Sequence, residues 1–71
     1  MSIVKNLMQE AIAVERIGDV EMSGCFRQVA LMAEEQDLLS LKDFVTAQLV
    51  KATGHTVSCW QAVSDFLENG R

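Results

Sequence analysis

Between Met22 and Ala33 the apolar residues fall at steps of three and four: Met22, Cys25, Phe26, Val29, Met32 and Ala33. That spacing places them on one face of an α-helix, whereas a strand would need alternation. The run has a marked start. Gly18 suits the left-handed backbone that closes a preceding helix, and Asp19 offers an N-cap oxygen to the next one. The spacing predicts a helix over residues 19–36, and the rest of the chain reads as helix that covers its apolar face.

The flanking segments repeat the logic. Ile3, Leu7, Ala11 and Val14, with Val4, Met8 and Ile12 beside them, predict a first helix over 2–17 with Ser2 as its cap. Asp37 to Leu39 form a short link, after which Ser40 and Asp43 have the capping-box spacing. Leu41, Phe44, Val45, Leu49 and Ala52 line the face of this third helix, and Gly54 closes it. His55 to Val57 make the next connection. Ser58 and Gln61 then cap a fourth helix, with Trp60, Val63 and Leu67 in one row, Cys59, Ala62 and Phe66 in a second, and Gly70 at its end. Gly24, inside the second helix, costs up to about 1 kcal/mol relative to alanine, and close approach by another helix is its expected reason. The chain has no proline and no alternating β-branched run. It is therefore expected to be all-α, a compact bundle of four short helices arranged as two αα-hairpins, with residues 1–71 as a single domain.

The Gly18 corner carries a further likeness. Leu7, Ala11 and Val14 on the first helix, Gly18-Asp19-Val20-Glu21 at the turn, and Ser23 and Ala30 on the second resemble the helical hairpin of tetratricopeptide proteins. Glu10, Arg27 and Glu35 depart from that pattern, and no second copy follows at the family's period of about 34 residues. The resemblance implies a tight αα-hairpin with small residues where its helices touch.

Size and charge narrow the functional classes. A chain of 71 residues buries only about 60% of its unfolded surface, so a disulfide, a metal or a partner often completes so small a core. Cys25 and Cys59 both fall at apolar helical positions and read as buried, reduced thiols. The net charge is −4 and lies in the first half: residues 1–37 hold three cations against seven carboxylates, and residues 38–71 hold three against three. Such a chain lacks the cations that draw a protein to nucleic acid or to an anionic membrane. The N-terminal segment lacks the apolar core of a signal peptide, and a cytoplasmic location is expected.

No motif carries enzymatic chemistry: His55 has no adjacent nucleophile, the carboxylates are dispersed, and no phosphate loop is present. Catalytic residues, a cofactor and a metal are not expected. His55 and Cys59 are four residues apart, but a turn after Gly54 would spoil their helical register, and no further ligand pair accompanies them. Residues 46–70 have helix-turn-helix offsets at Val50, Gly54, Trp60 and Val63. A reading helix showing Gln61, Ser64, Asp65 and Glu68, with Lys51 and His55 nearby, is poor in cations for a DNA groove. The expected function is instead a non-enzymatic protein-interaction module of regulatory, adaptor or inhibitor type, of the kind bacteria and phages make. A basic protein partner and a homodimer are the partners foreseen. The candidate contacts are Val20, Leu31, Leu38, Leu39 and Val50, apolar residues outside the main stripes, with Glu34, Glu35 and Asp37 steering the partner.

Overall fold

The computed structural model describes residues 3–69. Four helices follow one another: α1 (Ile3–Arg16), α2 (Val20–Met32), α3 (Leu38–Lys51) and α4 (His55–Asn69). The Ser2 cap and the Gly70 stop lie outside the described residues. The molecule measures 30 × 27 × 19 Å, and its short dimension is about two helix diameters, so the helices form two layers. α1 lies along α2 in the most extensive contact, while α4 packs against both α2 and α3. No helix among the described residues is long and apolar enough to cross a membrane.

The predicted faces are the buried ones. Leu7, Ala11 and Val14 of α1, Cys25, Phe26, Val29 and Ala30 of α2, Leu41 and Val45 of α3, and Cys59, Trp60, Val63 and Leu67 of α4 form one core. Two edge-to-face aromatic pairs fasten α4 to its neighbours: Phe26–Phe66 at 5.6 Å and Phe44–Trp60 at 5.8 Å between ring centroids. Such pairs contribute about 0.5–1.5 kcal/mol beyond their buried area. Small residues stand in the first hairpin as the resemblance implied, with Ala11, Ser23 and Ala30 all buried. The Ser23 hydroxyl accepts from Arg27 Nε, and Arg27 also pairs with Glu15 of α1.

The α1–α2 turn is a Schellman closure. Gly18 has φ +96° and donates to the Glu15 carbonyl, and the Asp19 N–H reaches back to Val14. Asp19 then caps α2, its Oδ1 accepting from the Met22 N–H at 3.0 Å.

Several boundaries and one helix face differ from expectation. α2 ends at Met32, and residues 33–36 continue only as turns bonded to Val29, Leu31 and Met32. α3 is capped by Asp37, not Ser40: Asp37 Oδ1 accepts from the Ser40 N–H at 2.9 Å, so Leu38 and Leu39 form the first turn. α4 begins at His55 directly after Gly54 (φ +61°), which leaves Ser58 inside the helix and sends the Gln61 amide to Asp65. The Thr56 hydroxyl holds the Thr53 N–H and carbonyl at that entry. Gly24 has no neighbour that requires it, since a Cβ there would meet nothing within 4 Å. Ile12, expected on the apolar face of α1, is 42% exposed because that face is wider than the strip α2 covers.

Candidate functional site

The expected contact residues all lie at the surface, in separate places. Leu31, Leu38 and Leu39 are 67%, 43% and 69% exposed and are gathered at the corner where α2 passes into α3. Glu34 and Glu35 occupy the turn between them and are exposed. Neither forms a salt bridge with a described residue, whereas Arg27 pairs with Glu15 and Lys42 with Glu68. Asp37 belongs to this corner by position, but its carboxylate serves α3. The Ser40 N–H and then the Ser40 hydroxyl hold it below the ordinary carboxylate value. Val20 stands at the opposite end of α2, and Val50, 84% exposed, stands near the far end of α3. That exposure removes Val50 from the packing role which helix-turn-helix offsets would give it. The outer side of α4 presents Ser58, Gln61, Asp65 and Glu68.

A second assembly lies at the N-terminal end of α2. The contacts Asp19–His55, Cys25–Cys59 and Phe26–Phe66 advance together along α2 and α4, so these helices run in the same direction. Their N-termini therefore meet. His55 Nε2 sits 3.2 Å from both Asp19 oxygens. A His55 ring nitrogen, an Asp19 oxygen and Cys59 Sγ lie within 4.8 Å of one another. Because α4 starts at His55, His55 and Cys59 are one helical turn apart on the same face. The Met22 N–H, followed by His55, holds the Asp19 carboxyl below its usual value.

The thiols complete the cluster. Both are free and buried. Burial, reinforced by Cys59, pushes the Cys25 thiol up to about 11. Burial also raises the Cys59 thiol, with the Asp19 and Glu21 charges adding to it. The neighbouring thiols act on each other in opposite senses: Cys59 opposes ionisation of Cys25, and Cys25 eases that of Cys59. A fully buried thiol whose ionisation is opposed by its surroundings is a poor nucleophile. On its solvent side the cluster opens into a hollow of about 550 Å³ lined by Ile17, Gly18, Asp19, Val20, Glu21 and His55.

Sequence reasoning weighed His55 and Cys59, with Cys25, as metal ligands and set them aside, and Asp19 was not among them. The one available signal for the grouping was the four-residue step from His55 to Cys59, which counts only once α4 is known to begin at His55. The 81% exposure of Ile17 was also missed, since Ile17 falls between the first two helical stripes. No family model, curated protein or solved structure matches the chain.

Proposed function

We propose that this chain is a small, non-enzymatic protein-interaction module of regulatory, adaptor or inhibitor type, which docks a basic, partly apolar protein surface on the α2–α3 corner. One observation carries the reading: Leu31, Leu38 and Leu39 are exposed around Glu34 and Glu35, and these carboxylates have no ion pair with a described residue. Exposed apolar area rimmed by charge is the usual make-up of a contact surface. The two glutamates also follow the carbonyl end of α2, where negative charge is unfavourable, and a cationic partner would relieve that cost. Self-association through this corner is disfavoured by the same charges, because a two-fold contact sets each patch against its own copy. The reading includes a cytoplasmic location, since adjacent free thiols suit a reducing compartment.

The test is comparative capture from the native host. Wild type, Glu34→Lys/Glu35→Lys and Leu31→Ser/Leu39→Ser are immobilised in parallel, with helicity checked by circular dichroism. The expected result is a basic protein retained by wild type, eluted by moderate salt and lost from both variants. Equal retention by all three overturns the assignment of the corner. Sedimentation equilibrium of the protein alone supplies the other arm: a dimer that Leu31→Ser/Leu39→Ser dissolves would replace the heterologous partner with a second copy.

A further inference from the structure

The Asp19–His55–Cys59 cluster joins three donor types that share one class of ligand. We infer that it is a binding site for a zinc-class divalent transition metal, with one carboxylate oxygen, one imidazole nitrogen and one thiolate as the protein's ligands. Zinc takes oxygen, nitrogen and sulfur donors at about 2.0–2.3 Å, so neighbouring donors around a tetrahedral ion are roughly 3.3–3.8 Å apart. Asp19 and His55 already meet at 3.2 Å, and all three donors lie within 4.8 Å of one another, so about 1 Å of side-chain rotation closes the set. Calcium and magnesium, which want oxygen donors, do not suit it.

The surroundings supply what such a site needs. The Met22 N–H holds the Asp19 carboxylate, and Cys25 lies beside Cys59 but outside the trio whose donor atoms converge. Groups in these outer positions orient ligands and tune their basicity. Cys25 is therefore a positioning residue and not a fourth ligand. The converging N-termini of α2 and α4 favour the anionic carboxylate and thiolate that the cation would neutralise. The hollow beside Asp19 and His55 gives an entry path and leaves room for a water as fourth ligand, and the Glu21 carboxylate at its rim attracts cations. Binding would add a metal link between the first hairpin and the second, which packing of α2 on α4 and the Asp19–His55 pair already join.

The test titrates reduced, chelator-treated full-length protein with cobalt(II), and with zinc in competition. Binding of one equivalent is expected, with the visible bands of tetrahedral cobalt and a thiolate-to-cobalt charge-transfer band in the near ultraviolet. His55→Ala, at an exposed position, keeps the fold and weakens binding by more than about a hundredfold, beyond the 10–100-fold typical of outer-sphere changes. Cys59→Ser abolishes the charge-transfer band, whereas Cys25→Ala retains it at affinity lowered by about 10–100-fold. No stoichiometric uptake by wild type overturns the inference. So does uptake without the charge-transfer band, or uptake that His55→Ala leaves unchanged.

Discussion

The two ends of α2 carry the same chemical group and use it in opposite ways. At the N-terminal end the Asp19 carboxylate is taken up by the Met22 N–H and by His55. At the C-terminal end Glu34 and Glu35 stand in water beside exposed leucines, with no ion pair to a described residue. One end binds the molecule to itself, and the other is left to bind something else. The contrast shows that acidity alone does not mark an interface. What distinguishes one is whether the fold already satisfies the charge.

The largest test of this contrast sets a residue inside α2 against one at its open end. Phe26→Ala removes a 2%-exposed ring and its edge-to-face partner Phe66, at a cost of about 3–5 kcal/mol. Against a whole stability of about 5–15 kcal/mol, that loss should move the urea midpoint far below the wild-type value. Leu31→Ala should stay within about 0.5 kcal/mol of wild type. A large loss at Leu31 would mean that the corner is core and not a docking surface.

A smaller effect is expected at Gly24. A methyl group there meets nothing within 4 Å, and the glycine is exposed with ordinary helical φ. Gly24→Ala should therefore raise stability by about 0.5–1 kcal/mol in thermal or urea unfolding. The same variant sharpens the comparison. Val20, Gly24, Gln28 and Leu31 form one exposed row, so partner binding that survives Gly24→Ala confines the contact to the corner.

The smallest effect is acid sensitivity. The Asp19 and Asp37 carboxyls lie below their ordinary value of 3.8 in the fold. A depressed carboxyl adds stability above its unfolded pKa and loses it as pH falls through the folded one, so both contributions should fade below about pH 4. Asp37→Asn keeps a capping oxygen, since asparagine caps as well as aspartate. Its urea midpoint should stay near the wild-type value at neutral pH and decline less steeply in acid. A decline parallel to wild type would show that Asp37 carries none of the acid dependence.

The buried faces were legible because apolar periodicity is a local property, and α2 displays it from Met22 to Val29. The caps were less so. Asp37 and Ser40 both carry a side-chain oxygen with a residue three positions on, Ser40 and Asp43, whose N–H it could accept, so either could start the helix. The structure chose Asp37, whose anionic oxygen is the stronger acceptor. Gly24 invited a packing explanation that the open space around it removes. The metal-type cluster was not legible because its members come together only when α2 and α4 pair in parallel. No local pattern encodes that pairing, and even the His55–Cys59 step depended on where α4 starts.

The Schellman turn has one more consequence, for how the chain tolerates change in length. Asp19 is at once the residue that closes α1, the cap of α2 and the partner of His55. One residue added at Gly18 would have to break at least one of these links, because a helix turns by about 100° per residue. The exposed turn at residues 34–36 carries no such coupling. Lengthening a flexible loop costs only about 0.6 kcal/mol per doubling. An inserted residue should therefore cost the fold more at the first connection than at the second.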